Sequence, residues 1–183
     1  MPLPPTPVGD WSQIESGTAT PFDVGPVTVE AATTVYEDVA RRDAVASATG
    51  ANALWRFFFR SRLTLTPETG VSGALERLVT DRATAGFADQ LRDRGLTAVR
   101  ERESRTMSLG DAEAALTRYE ATNRLDGDAA VDVEGYVAVW PESRSFRLAG
   151  GAYPVSVDEP FSEFCSPEQD RRQLFDAIRA VGD

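Results

Sequence analysis

Residues 54–65 read LWRFFFRSRLTL, and this stretch carries the clearest structural signal in the chain. One parity holds its largest apolar residues, which are Trp55, Phe57, Phe59, Leu63 and Leu65. The opposite parity holds Arg56, Phe58, Arg60 and Arg62. Because successive side chains of a strand point to opposite faces, the pattern predicts a strand with an aromatic core face and an arginine face. Burying unpaired guanidinium groups is costly, so we expect the arginine face to meet solvent, carboxylates or a partner.

The segments on either side of this strand predict a second strand and a helix. Upstream, residues 27–35 alternate apolar and polar side chains, as a half-buried strand does, and residues 39–52 predict a loop with a helical turn. Downstream, TPETG at residues 66–70 breaks the strand. Apolar residues then recur every four positions, which predicts a long amphipathic helix ending at Gly95. These residues are Val71, Leu75, Val79, Ala83, Phe87 and Leu91.

The second half of the chain predicts a meander of strands between residues 97 and 155. Its turn signals are SLGD at 108–111, DGD at 126–128 and WPES at 140–143. The valines around Gly135 mark the strongest strand, and this glycine leaves room for a helix or a bulge. The charged run RERESR at 100–105 has no apolar residues on either side of the expected strand. It therefore predicts an edge strand whose charges prevent pairing with another chain.

The two ends of the chain differ in character. Six of the 11 prolines lie within the first 26 residues, so residues 1–25 are predicted to be an extended arm. At the other end, Ser166, Pro167 and Gln169 form the pattern of a capping box ahead of an apolar helical stripe. Residues 26–183 are therefore predicted to be one α+β domain. Its mostly antiparallel sheet packs against a long central helix and a C-terminal helix.

Composition excludes several kinds of chemistry. The 183 residues include 29 acidic and 19 basic residues, and all of the latter are arginine; the chain has neither lysine nor histidine. It therefore offers no Schiff-base lysine, no Gly-Lys-Ser/Thr phosphate loop, no Ser-His-Asp or Cys-His catalytic group and no histidine-ligated zinc. The net charge of −10 argues against nucleic-acid binding. We expect no cofactor and no metal site.

The acidic, lysine-free composition resembles that of proteins from salt-loving archaea. A surface covered by carboxylates stays soluble at multimolar salt, where self-repulsion is screened. The alternative is an acidic, partner-binding protein of an ordinary cytoplasm. The first residues lack the charged and apolar regions of a signal peptide, and the apolar runs are too short to span a bilayer. The single cysteine, Cys165, fits a reducing compartment, so we expect a cytoplasmic protein.

The order of predicted elements resembles that of the Mog1/PsbP-like superfamily. The resemblance covers roughly residues 26 to 181 and includes Asp111–Ala114 leading one strand, Gly135–Val139 in the next, and a docking terminal helix. It implies an antiparallel sheet flanked by helices and a non-catalytic binding or scaffolding role. An NTF2-like cone, in which a sheet curls around a helix, is the alternative fold.

The arginine face is the principal candidate site. The proposed set comprises Arg56, Phe58, Arg60 and Arg62, together with Arg100 and Arg102 of the charged strand if the strands are neighbours. Such guanidinium groups hold carboxylates or phosphates bidentately, so the site would bind an anionic small molecule or a protein partner, with Phe58 as an exposed apolar contact. The alternative is a solvated face of cross-strand ion pairs with Glu101, Glu120 and Glu134.

We therefore expect a non-enzymatic binding or protein-interaction module. A second hypothesis is a small-molecule carrier or enzyme, which requires an apolar cavity between the sheet and the long helix. A third is a homodimer formed through the edge strand or through the arginine and Phe58 face. Two further features have ordinary explanations: DGD at 126–128 fits a hairpin turn better than a cation site, and Cys165 fits an unreactive thiol.

Overall fold

A computed structural model describes residues 11–51, 55–125, 129–157 and 161–183. Within these residues the chain forms one antiparallel seven-stranded sheet with the strand order β1-β2-β3-β7-β6-β5-β4, together with three α-helices and a short 3-10 helix. The strands are β1 (Ser12–Val24), β2 (Val27–Glu37), β3 (Phe57–Thr66), β4 (Leu96–Leu109), β5 (Ala112–Arg124), β6 (Ala130–Pro141) and β7 (Ser145–Val157). The helices are α1 (Val39–Thr49), α2 (Gly73–Asp93) and α3 (Pro167–Gly182), and the 3-10 helix spans Phe161–Phe164. The predicted α+β class and the mostly antiparallel sheet are confirmed.

Both faces of the sheet are buried at its inner strands, each by a different helix, whereas the edge strands β1 and β4 are largely exposed. On one face, Phe57 and Phe59 of β3 pack in the same cluster as Phe87 of α2. On the other face, Phe58 of β3 packs in the same cluster as Leu174 of α3. Since neighbouring side chains of one strand enter opposite clusters, the sheet is the middle layer of a three-layer sandwich.

The long central helix that the sequence predicts is not borne out. Helix α2 has 21 residues and covers one face of the sheet, while α3 covers the other. Its N-terminus follows ordinary capping chemistry, because the Ser72 side chain accepts a hydrogen bond from the backbone N–H of Leu75. Gly135 of β6 allows close approach on the α2 side, where a Cβ atom would lie 3.3 Å from the Phe87 ring.

The terminal helix α3 begins where the sequence predicts it, but without the predicted capping box. Pro167 occupies its first turn, yet the Ser166 side chain makes no capping hydrogen bond. The helix is held instead by its apolar stripe and by Asp170, which is buried in an ion-pair network. Contacts with other elements therefore stabilise the start of α3, where the local sequence had suggested a capping box.

The N-terminal third contains more regular structure than the sequence suggests. Residues 12–24, within the predicted arm of residues 1–25, form β1 and pair with β2 along the edge of the sheet. The segment predicted as a loop with a helical turn forms α1 over Val39–Thr49, with Asp38 as its N-cap. The predicted DGD turn at 126–128 lies outside the described residues.

Candidate functional site

The arginine face of residues 56–62 is largely buried, and of the three environments expected for it Arg56 meets carboxylates rather than solvent. Arg56 is 1% exposed, Arg60 6% and Phe58 0%, although Phe58 was expected to be an apolar contact for a partner. Helix α3 packs on this face, and the ring of Trp11 lies 6.0 Å from that of Phe58. The expectation that Phe58 is an exposed contact was wrong, because α3 covers this part of the sheet.

Arg56 is accommodated in the interior by a network of opposite charges. Its Nε donates to Asp38 Oδ2 at 2.8 Å, and its Nη1 donates to Asp170 Oδ1 at 3.0 Å and to Gln173 Oε1 at 2.6 Å. Arg41 of α1 binds both carboxylate oxygens of Asp170, at 2.7 and 2.8 Å. Two arginines and two aspartates thus tie the residue before β3 to α1 and α3, and all of them are buried except Arg41, whose side chain is 18% exposed. We assign it a structural role.

The remaining arginines of the predicted set do not join those of β3. Strands β7, β6 and β5 lie between β3 and β4, so Arg100 and Arg102 are far along the sheet from Arg62. Arg102 pairs with Glu120 at 3.0 Å, and Arg62 approaches Glu142 at 3.7 Å. The six predicted residues therefore form no single site, and two of them lie in ordinary surface ion pairs.

A different group of arginines comes together between α3 and β4. We call it the arginine groove; it is an open cavity of about 510 Å³. Its lining consists of Arg105, Glu168, Arg171, Arg172, Phe175 and Arg179. A second cavity of about 420 Å³ shares Arg105 and Arg171 with it and adds Glu103, Arg118, Glu134 and Tyr136. Together they form a continuous polar surface on the α3 side of the sheet.

Aromatic rings support the guanidinium groups of the groove. The Arg171 guanidinium lies 5.5 Å from the ring centre of Phe175 and 5.9 Å from that of Tyr136. Arg179 also lies 5.9 Å from the Phe175 ring. A guanidinium placed over an aromatic ring is held by cation–π attraction, while its N–H edges stay available to an anion.

Three cations of the groove carry no carboxylate partner among the residues that the structure describes. They are Arg105, Arg171 and Arg172, all of which are exposed. Arg179 differs, because it binds Asp176 of its own helix at 3.2 Å. Glu168 is the acidic side chain in the lining, so the groove has an excess of positive charge on a protein whose net charge is −10.

The second cavity, beside the groove, has Glu134 in its wall, and several side chains form hydrogen bonds to this carboxylate. The hydroxyls of Tyr136 and Tyr153 donate to its Oε1 at 2.7 and 2.6 Å, and Arg118 Nη1 donates to its Oε2 at 3.2 Å. Burial alone would raise the pKa of Glu134, but these tyrosine hydrogen bonds and the Arg118 charge outweigh it and lower the pKa. Burial, followed by the bond to Glu134, raises the pKa of Tyr136 to about 12. Both groups therefore keep one protonation state near neutral pH.

The sequence analysis did not predict the groove, because it interpreted one of the segments as an edge strand and the other as a helix defined by its apolar stripe. Arg105 lies in the charged run predicted as a protected edge, and β4 is indeed an edge strand of the sheet. Arg171, Arg172 and Arg179 lie on the helix whose apolar stripe alone attracted attention. Their arginine-rich polar face was a usable signal, but pairing it with Arg105 requires the strand order.

Cys165 has the character of an unreactive thiol. Its Sγ donates to the carbonyl of Pro154 at 3.5 Å. Burial raises its pKa, the nearby charge of Asp170 raises it further, and Arg41 opposes them in part. A raised pKa leaves little thiolate at neutral pH, so this environment does not activate a nucleophile.

Neither a metal cluster nor a membrane helix was found in the described part of the chain. No group of three or more cysteine, aspartate and glutamate side chains there is placed to hold a metal ion. No helix there combines the length and the apolar character that crossing a bilayer requires.

Comparison with known proteins gives one match. The sequence profile of a family described as Domain of unknown function (DUF6517) matches residues 6–182, which is nearly the whole chain and includes β1. No curated protein and no solved structure matches the chain.

Proposed function

We propose that this chain, which belongs to the DUF6517 family, is a non-enzymatic binding module that holds anionic groups in its arginine groove. The observation that carries the proposal is the set of three exposed arginines in one concave surface of a strongly acidic protein, none of which has a carboxylate partner within the described part of the chain. Guanidinium groups match carboxylates and phosphates geometrically, because two N–H donors face two oxygens.

The chemistry of the groove favours binding over catalysis. Glu134 and Tyr136 in the adjoining wall both have pKa values shifted away from neutrality, and each is engaged in hydrogen bonds. A general acid or base works best with a pKa near the working pH, which neither group has. Arg118 beside these groups is already paired with Glu120 and Glu134.

The acidic remainder of the surface limits the ligand to a compact anion. A long polyanion such as a nucleic acid would meet carboxylates on either side of the groove and be repelled. A phosphate group, a carboxylate ligand or a short acidic segment of a protein partner would contact the arginines alone. These ligands share the same recognition chemistry.

Two wider assignments belong to the same proposal. The antiparallel sheet with helices on both faces supports kinship with the Mog1/PsbP-like superfamily, whose expected roles are binding and scaffolding. The charge of −10 and the exclusive use of arginine support adaptation to a saline cytoplasm.

Calorimetric titration in low-halide buffer tests the proposal with two probes, inorganic phosphate and an acetylated tetraglutamate peptide. The groove variant combines Arg105→Gln, Arg171→Gln and Arg172→Gln. The matched control combines Arg77→Gln, Arg124→Gln and Arg144→Gln, which remove the same charge outside the groove. We expect the groove variant to lose at least about tenfold in affinity, as the loss of one or more charge-assisted bonds implies. The control should lose less than about threefold.

Equal affinities of the groove and control variants for both probes would overturn the proposal. The two probes also separate the sources of the anion. Binding of the peptide alone would indicate a protein partner, and binding of phosphate alone a small phosphorylated ligand.

A further inference from the structure

The net charge of the arginine groove matches that of one particular kind of anion. Three arginines of its lining have no carboxylate partner among the described residues: Arg105, Arg171 and Arg172. The fourth arginine is compensated by an aspartate of its own helix. Glu168 offsets one of the three remaining positive charges, so the groove has a net charge of +2. A carboxylate carries one negative charge, whereas a phosphate monoester above its second pKa of about 6 carries two.

The number of hydrogen-bond donors in the groove also distinguishes between anions. A guanidinium group that binds an anion bidentately directs two N–H groups at it, so three arginines supply about six donors. A carboxylate has two oxygens with about four acceptor positions between them. A phosphate monoester has three terminal oxygens, each of which is a strong acceptor. Three arginines are therefore matched more completely by a phosphate group than by a carboxylate.

The three arginines also lie on two different walls of the groove. Arg105 belongs to β4, whereas Arg171 and Arg172 belong to α3. A tetrahedral phosphate accepts hydrogen bonds from several directions, so it can bridge the two walls. Arg171 is held over the rings of Phe175 and Tyr136 before a ligand arrives, which lowers the side-chain entropy lost on binding.

The second cavity limits what the rest of the ligand can be. It shares Arg105 and Arg171 with the groove, and its own acidic lining residues are Glu103 and Glu134. A further arginine of this lining, Arg118, is already paired with Glu134 at 3.2 Å. A second phosphate group would meet these carboxylates and be repelled. The ligand is therefore expected to carry a single phosphate group and no other negative charge.

Building on the proposed function, we propose that the arginine groove binds its ligand through one phosphate monoester group in the dianionic form. Arg105, Arg171 and Arg172 bind the phosphate oxygens between α3 and β4. Glu168 keeps the charge of the groove equal and opposite to that of the dianion. The proposal narrows the anions that the groove accepts from carboxylates and phosphates in general to phosphate monoesters.

Methyl phosphate and methyl sulfate are matched probes of this inference. Both are tetrahedral esters with three terminal oxygens, but only methyl phosphate is a dianion at pH 7.5. Acetate supplies the carboxylate for comparison. In calorimetric titrations in low-halide buffer at this pH, we expect the wild type to bind methyl phosphate at least about tenfold more tightly than either of the other two anions.

Single substitutions change the charge of the groove by one unit in either direction. Arg172→Gln lowers it to +1, so the preference for methyl phosphate over methyl sulfate should fall to about threefold or less. Glu168→Gln raises it to +3 and should tighten the binding of both esters. Arg124→Gln removes an exposed arginine of β5 outside the groove and should leave the preference unchanged.

Two further probes separate the sources of a phosphate monoester. Glycerol phosphate represents a small molecule, and a blocked phosphoserine tripeptide represents a modified protein segment. Both contain the same monoester group, so binding of either in the groove supports the proposal, and the tighter of the two identifies the source.

Three results would overturn the proposal. They are equal affinities of the wild type for methyl phosphate and methyl sulfate, binding of acetate as tight as that of methyl phosphate, and a preference that Arg172→Gln leaves unchanged. The proposed function would survive any of them if anions still bound the wild type more tightly than the variant that lacks all three arginines. Failure of every anion to bind the groove would overturn both.

Discussion

Arg56 is the residue at which sequence reasoning and structure differ most. Alternation along residues 54–65 correctly separates the aromatic residues from the arginines, and Phe57 and Phe59 are in the core as predicted. The pattern does not show that the other face is also covered. The partners that make a buried arginine tolerable, Asp38 and Asp170, are distant in sequence, and no local pattern connects them to Arg56.

The ion-pair network around Arg56 predicts a large cost for removing its central cation. Arg56→Leu leaves Asp38 and Asp170 buried with less compensating charge, so we expect a loss of about 3–5 kcal/mol in the free energy of unfolding. Urea titration measures it. Arg62→Leu is the control, since Arg62 is 42% exposed in its side chain and 3.7 Å from Glu142; its loss should stay below about 1 kcal/mol. Similar losses for the two variants would contradict the structural role of Arg56.

Glu134 predicts a pH-dependent contribution to stability. Its pKa is lowered from the ordinary value of 4.5, so the folded state binds this proton less readily than the unfolded state. The stabilisation is therefore present above pH 4.5 and is lost as the pH falls through the lower folded value. Glu134→Gln should cost about 1–3 kcal/mol at pH 7, and the difference from wild type should shrink below pH 4.5. A difference that stays constant down to pH 3 would contradict this assignment.

At the scale of elements, the buried side of α2 was predicted correctly but its role as a long central helix was not, and α3 was predicted in part. The four-residue recurrence from Val71 to Leu91 predicts a helix, and Val79, Ala83, Phe87 and Leu91 are its buried residues. For α3 the apolar stripe was correct, the predicted capping box was wrong, and the arginine-rich polar face was not identified. Periodicity reports which side of a helix is buried, but it does not report what lies beside the exposed side.

The packing of α2 predicts a strong dependence of stability on Phe87. Its ring stacks on Phe59 at 5.6 Å and meets Tyr119 edge-on at 5.2 Å. Phe87→Ala should therefore cost about 3–5 kcal/mol in a denaturant titration. Leu78→Ala changes a 38% exposed residue of the same helix and should cost less than about 1 kcal/mol. A small loss for Phe87→Ala would mean that α2 is peripheral to the core.

At the scale of the molecule, the prediction of one arginine site failed because it depended on the order of strands in the sheet. The sequence indicates individual strands and turns, but not that β7 pairs with β3 and that β4 lies at the far edge. This order separates Arg100 and Arg102 from the arginines of β3, and it places Arg105 near α3. The candidate site therefore depends on contacts between distant segments, which local patterns do not encode.

The net charge predicts how the whole protein responds to salt. With 29 acidic and 19 basic residues, the folded chain repels itself at low ionic strength, and screening relieves this repulsion. We expect the Tm to rise from dilute buffer to molar KCl in thermal melts followed by circular dichroism. An unchanged or falling Tm would contradict adaptation to saline conditions.

The most direct test of the arginine groove is an NMR titration that observes the Nε–H groups of the arginine side chains while inorganic phosphate is added. All 19 basic residues are arginine, so the experiment surveys every cationic side chain of the protein at once. The account predicts that Arg105, Arg171 and Arg172 shift first and saturate together. Shifts that spread evenly over the arginines without saturating, or that begin at arginines outside the groove, would contradict it.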